Sequence, residues 1–152
     1  MSATTSKLLA CAALLLASAA FAAGSDEATP PGKLDLAKQA IEKGEYQAAI
    51  ADLSDLEREE PDNPDVHNLL GYSYRKLGRL DEAREHYLRA LAIMPNHRGA
   101  NEYLGELYLE IGDLANAEKR LAVLDDECFF PCEEYSELKA AVEKYKAANG
   151  IK

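Results

Sequence analysis

Apolar residues recur along this chain at the three-and-four spacing of a helix face, and the helical stretches themselves recur. Near the middle, Leu70, Gly71 and Tyr74 lead to a glycine at 78, and Leu80, Ala83, Tyr87 and Ala90 lead to a proline at 95. The order is large, small, large, turn, large, small, large, small, stop, and the flanking stretches repeat it. Gly44, Gly78 and Gly112 stand 34 residues apart, Ala49, Ala83 and Ala117 each follow five residues later, and Pro61 and Pro95 share a further fixed offset. A fixed period of this length predicts helix pairs stacked into a solenoid, because each pair carries an apolar face that only its neighbours can cover.

The residue types at these columns have physical roles. Small residues at Gly71, Gly105, Ala83 and Ala117 predict close approach of the two helices of one hairpin, with Tyr74, Tyr87 and Tyr108 filling the space beside them. Glycines at 44, 78 and 112 are predicted to end the first helix of each pair in the left-handed conformation. The Pro-Asp-Asn-Pro stretch at 61–64 stops one helix and starts the next, since Pro64 suits a first turn and Pro61 cannot continue a helix. Segment 133–149 keeps the phase as one more helix with Tyr135, Leu138, Val142 and Tyr145 on its apolar stripe, and is predicted to cap the stack.

Divided as 30–63, 64–97 and 98–131, the units resemble the tetratricopeptide repeat. The second carries the residues named above. In the third, Leu104, Gly105, Tyr108, Gly112, Leu114, Ala117, Leu121 and Leu124 fall on the same columns, and in the first Leu36, Ala37, Ala40, Gly44, Tyr46, Ala49, Leu53, Leu56 and Pro61 do. The third unit departs at its end, where Phe129 stands in place of the stopping proline and Pro131 arrives two residues late. The resemblance implies an all-α, right-handed solenoid of helix-turn-helix repeats with a C-terminal capping helix, over residues 33–149. It also implies a scaffold that binds other proteins on its concave face.

The N-terminus bears on compartment. Lys7, the apolar run Leu8 to Ala20 and the small-residue site Ala20-Phe21-Ala22 have the three regions of a secretory signal peptide, residues 1–22. The alternative, an uncleaved anchor, has an apolar run shorter than the roughly 20 residues a bilayer span needs. Leu8-Leu9-Ala10-Cys11 has the look of a lipoprotein acylation box, but too little apolar chain precedes it. An exported protein, periplasmic or secreted, is expected. Residues 23–32, polar and with two prolines, read as a flexible linker.

Removing residues 1–22 takes away Lys7 and no acid, so 16 Lys and Arg face 27 Asp and Glu, a net charge of −11. Such a chain repels phosphate backbones and anionic headgroups, which argues against nucleic acid and membrane-surface partners and for a protein or peptide partner of basic character. Acidity that serves solubility alone is the competing reading.

Carried over from the family geometry, the groove positions are Lys38 and Glu42 in the first unit, Asp65, Asn68, Tyr72, Arg75 and Lys76 in the second, and Glu102, Glu106, Leu109 and Glu110 in the third, all expected to be exposed. Glu102, Glu106 and Glu110 lie four apart and form one ridge, repulsive by a few tenths of a kcal/mol per pair. Either a partner uses that ridge or Arg75 and Lys76 relieve it across the groove. Some family members clamp a C-terminal carboxylate with Lys, Asn and Arg. Here those columns hold Leu34, Lys38, Leu69, Gly99 and Tyr103, so the clamp is mostly missing.

Cys128-Phe129-Phe130-Pro131-Cys132, set among Asp125, Asp126, Glu127, Glu133 and Glu134, is the other departure. In an exported chain two nearby cysteines favour a disulfide, which would pin the capping helix to the third repeat and add about 2 kcal/mol. A redox pair is opposed by the surrounding carboxylates, which disfavour a thiolate. A thiolate-carboxylate site for copper(I) or zinc is the third option, although no histidine is near in sequence. The histidines His67, His86 and His97 fall at a helix start, a second-helix face and an inter-repeat turn, so no two are expected to act together. No phosphate loop, His-Glu-x-x-His or Gly-x-Ser-x-Gly is present, and no enzyme activity, metal or cofactor is expected. The resulting expectation is a non-catalytic adaptor for an envelope complex. A metal- or redox-handling protein using Cys128 and Cys132, and a self-assembling scaffold, are the alternatives.

Overall fold

A computed structural model of the chain describes residues 32–130 and 132–151. The signal peptide, nearly all of the linker, the start of the first unit and Pro131 lie outside them. Within the described residues the chain forms seven helices and no strand: α1 (Lys33–Glu42), α2 (Tyr46–Glu59), α3 (Pro64–Lys76), α4 (Leu80–Ile93), α5 (Arg98–Glu110), α6 (Leu114–Glu127) and α7 (Glu133–Ala148). No described helix is long and apolar enough to cross a membrane.

The punctuation works as the sequence predicts. Gly44, Gly78 and Gly112 follow α1, α3 and α5 with φ of 76°, 74° and 81°, a region that costs a residue with a Cβ. At Gly78 the backbone closes a Schellman motif, the Gly78 N–H donating to Arg75 and the Arg79 N–H to Tyr74, both at 2.9 Å. Pro64 occupies the first turn of α3, and the Asn63 side chain before it accepts from the N–H groups of Asp65 and Val66. His97 takes the equivalent place before α5: its Nδ1 accepts from the Ala100 N–H at 3.1 Å, so its Nε2 carries the proton it donates to Asp65 on α3, at 2.9 Å. One ring thus caps a helix and ties it to the preceding unit.

Packing follows the small-residue columns. Ala49, Ala83 and Ala117 are fully buried in three successive apolar cores, built on Leu53 and Leu70, on Tyr87 and Leu104, and on Leu124 and Leu138. At Gly71 a Cβ would sit 2.6 Å from the ring of Tyr87, so the missing side chain on α3 is what seats the tyrosine of α4. Gly105 departs from the expectation of a contact within its own hairpin. A Cβ there would lie 2.5 Å from Cδ2 of Leu138, on α7. Leu138 and Val142 are buried and Tyr135 and Tyr145 half-buried, the stripe read from the sequence.

Consecutive helices pack on one another, and α7 lies against both α5 and α6. First helices also touch each other, α1 to α3 and α3 to α5, whereas α2, α4 and α6 make no such contacts among the described residues. Elements that meet lie on the inside of a curve, so α1, α3 and α5 form the concave wall, and α7 packs beside α5 as the next first helix would.

Because Leu138 fills the space Gly105 leaves open, Gly105→Ala is expected to overpack this junction and cost about 1–3 kcal/mol. Combined with Leu138→Ala, it should cost clearly less than the sum of the two single changes, a coupling that urea unfolding of the four-member cycle would measure. Strict additivity would show that the two residues do not share this contact.

Candidate functional site

Arg75, in the last turn of α3, is the centre of the concave wall. Its Nη1 donates to Glu106 at 2.5 Å and its Nε to Glu110 at 2.7 Å, with Nη2 on the same Glu110 oxygen. The guanidinium is mostly buried. Burial disfavours its charge, but the bonds to Glu110 and Glu106 outweigh that and hold the pKa above its ordinary value. Two of the three carboxylates on the α5 ridge are therefore neutralised across the groove, as the sequence allowed. Lys76 does not join them, because its ammonium lies over the Tyr72 ring, 5.0 Å from the centroid. Lys38 stays exposed on α1, outside this cluster.

Beside Arg75 opens a cleft of about 370 Å³, walled by Arg75, Glu106, Leu109 and Glu110 and, from α7, by Ala141, Lys144, Tyr145 and Ala148. Half of its wall comes from the capping helix, for which no binding role was expected. Its charges balance, two acidic and two basic, around apolar Leu109, Ala141 and Ala148. Apart from the residues that wall the cleft, the rings of Tyr46, Tyr72 and Tyr103 run across α2, α3 and α5, with centroids 6.3 and 5.0 Å apart. Burial, followed by the Glu102 and Tyr72 charges, pushes the Tyr103 hydroxyl up to about 12.

Two expected groove residues are not exposed. Asn68 is 7% accessible, because the start of α5 lies on it: a Cβ on Gly99 would be 3.1 Å from its Nδ2. Glu102 is 3% accessible, close to Glu134 and Glu137 of α7. Burial, then the hydrogen bond to Glu137 and the charges of Glu106, Glu137 and Glu134, pushes its carboxyl up to about 9, so it is protonated at neutral pH. The ridge of three acids is in effect two acids and one neutral carboxyl. The family geometry places such positions on an open wall, whereas here the neighbouring helices close over them.

The expectation that no two histidines meet is also corrected. His67 of α3 and His86 of α4 face each other across their hairpin, Nδ1 to Nδ1 at 3.3 Å, with ring centroids 5.7 Å apart and Glu57 of α2 beside both. Their unit positions lie on facing sides of one hairpin, a relation that sequence distance hides and hairpin register would have exposed. His86 also stacks on Tyr74 at 5.3 Å, and burial lowers its pKa by disfavouring the charged ring. A second unforeseen network is built on Asn101, buried, which donates to the carbonyls of Pro95 and His97 and accepts from Arg120.

At the end of α6 the sulfurs of Cys128 and Cys132 lie at bonding distance with Cα atoms 5.8 Å apart, a span a disulfide bridges without backbone movement. Between them Phe129 and Phe130 are 94% and 76% exposed.

A tetratricopeptide repeat profile matches residues 34–98. A TPR repeat-containing thioredoxin of Arabidopsis thaliana, TTL4, is 32% identical over 81 residues, which is 53% of this chain but 12% of that protein. Among solved structures, the type III secretion translocator chaperone SycD of Yersinia enterocolitica is similar at a TM-score of 0.70 and 20% identity, over 78% of this chain and 84% of that one. SycD in complex with a peptide of the translocator YopD is similar at 0.64 and 22%, over 76% and 88%. The first TPR of Spaghetti (RPAP3), bound to the HSP90 peptide SRMEEVD, is similar at 0.67 and 19%, over 78% and 90%.

Glu102 yields a pH dependence with a definite sign. Its folded pKa, about 9, exceeds the ordinary 4.5, so between these values the folded chain holds a proton that the unfolded chain releases, and stability falls as pH rises through that window. Glu102→Gln keeps the neutral form. Its melting temperature should match the parent's near pH 4 and exceed it at pH 8, where the proton held only by the folded parent costs it up to about 4–5 kcal/mol, about 1.4 kcal/mol for each pH unit above 4.5. Calorimetry of both proteins across this range checks it.

Proposed function

The chain is a tetratricopeptide repeat protein, and from that premise we propose that it is a non-catalytic adaptor that holds a peptide or helix of a partner protein in its concave groove. The observation that carries this reading is the cleft between α5 and α7. It has an apolar floor at Leu109, Ala141 and Ala148, and a polar rim that Arg75, Glu106 and Glu110 hold in fixed geometry. A pre-formed concave site with few, well-placed polar groups suits an amphipathic segment with one or two apolar anchors. Its fold neighbours SycD and the RPAP3 domain have been solved with peptides bound, which supports the class of ligand.

Because the cleft is charge-balanced, steering comes from the chain as a whole, with its net charge of −10. A basic flank on the partner would speed its approach, and salt would slow it. We place this adaptor outside the cytoplasm, serving an envelope complex, on the strength of the N-terminal targeting pattern and of the paired cysteines, which act there as a staple between α6 and α7. The alternative in which Cys128 and Cys132 handle metal or electrons requires free thiols.

Peptides selected from a random displayed library against the full chain are expected to share apolar anchors with flanking Lys or Arg. Leu109→Glu with Ala141→Glu should weaken them by at least about tenfold, roughly 1.4 kcal/mol. Selected peptides that bind parent and variant equally would remove the cleft from consideration. Separately, the exported protein should have an intact mass two hydrogens below that of the reduced chain and no titratable thiol; reactive thiols would favour the redox or metal alternative.

A further inference from the structure

Outside the groove, α2, α3 and α4 bring three metal-binding side chains to one point. Glu57 Oε1 is 3.5 Å from His67 Nδ1 and 3.9 Å from His86 Nδ1, and the two nitrogens are 3.3 Å apart. These three edges define a circle of radius about 2.1 Å, the distance at which zinc holds imidazole nitrogen and carboxylate oxygen. An ion at its centre would touch all three donors with no movement of the backbone.

The surroundings are those of a built site. His67 is 3% accessible, and its Nε2 lies 2.9 Å from the carbonyl oxygen of Pro61. A carbonyl can only accept, so Nε2 carries the proton and Nδ1 presents its lone pair toward His86 and Glu57. This is how proteins orient a ligating histidine, with the second ring nitrogen bonded to a fixed acceptor. His86 is held by its stack on Tyr74, so both rings are positioned from behind. The remaining side faces a cleft of about 430 Å³ bordered by Glu85, Leu88 and Arg89. Ligands and surroundings come from both sides of the junction between the first two repeats.

We propose that Glu57, His67 and His86 form a binding site for a divalent transition-metal ion of borderline softness, with zinc(II) the best match to two imidazoles and a carboxylate, and with a further coordination position open to the cleft. The site is separate from the groove and from Cys128 and Cys132, and it stands whether or not the adaptor reading does. Its structural effect is to join the last turns of α2 to the α3–α4 hairpin.

The test is zinc(II) titration of the chelator-stripped full chain by calorimetry, with the melting temperature as a second readout. One zinc per chain is expected, with a melting temperature that rises as zinc is added. Affinity should fall by at least about a hundredfold in His86→Gln and in Glu57→Gln, and stay unchanged when Cys128 and Cys132 are both replaced by Ser. His86 and Glu57 are partly exposed, so these variants are chosen over His67, and circular dichroism of each verifies the fold. Absence of uptake at micromolar zinc, or uptake that survives both substitutions, overturns the proposal. Loss of uptake only in the double serine variant would move the metal to the cysteines and overturn it equally.

Discussion

Two helices can lie side by side at short range only where one of them gives up a side chain, and the hairpins of this chain are organised around that concession. Gly71 is the clearest case: the ring of Tyr87 occupies the volume a Cβ would need, and Tyr87 in turn is fully buried at the centre of the second core. Ala49, Ala83 and Ala117 hold the corresponding place on the second helices with no exposed surface. Close approach sets the distance between helices, the distance sets which large side chains interlock, and the left-handed glycines set the angle at which each second helix returns. The curvature that creates a concave wall is the sum of these local decisions.

This dependence explains what was legible in the sequence. Contacts within one hairpin are encoded by residues a few positions apart, so the seven helices, their glycine stops and the stripe of α7 follow from period and punctuation. Contacts between units depend on how far the stack turns, and no single residue encodes that. Asn68 and Glu102 look like groove residues on a helical wheel. They are buried because α5 and α7 come near enough to cover them. Arg75 is the opposite case: the facing charges were evident, and the structure realises them as two ion pairs.

The histidines show a different blindness. His67, His86 and Glu57 belong to three helices, and sequence separation conveys nothing of their meeting. Hairpin register does, because His67 and His86 sit at opposing heights of one antiparallel pair. The lesson for helical repeats is that side chains should be compared by height within the unit before by distance along the chain. The exposed phenylalanines between the cysteines escape both methods, since they belong to no helix.

Gly71 and Gly105 occupy the same column of successive repeats yet receive different guests, a tyrosine from the partner helix in one case and Leu138 of α7 in the other. The glycine is thus a general socket, and what plugs it differs from unit to unit, the column that holds Tyr87 in the second holding the smaller Leu121 in the third. Repeat number in such a chain is an inheritable quantity that can change by whole units: an internal duplication copies a socket and its plug together and leaves the terminus intact. Leu138 itself stands on the column of Leu36, Leu70 and Leu104, 34 residues after the last of these, so α7 meets Gly105 with a residue that the repeat already supplies. The cap is in this sense a repeat begun, and a further unit behind it could leave that contact untouched.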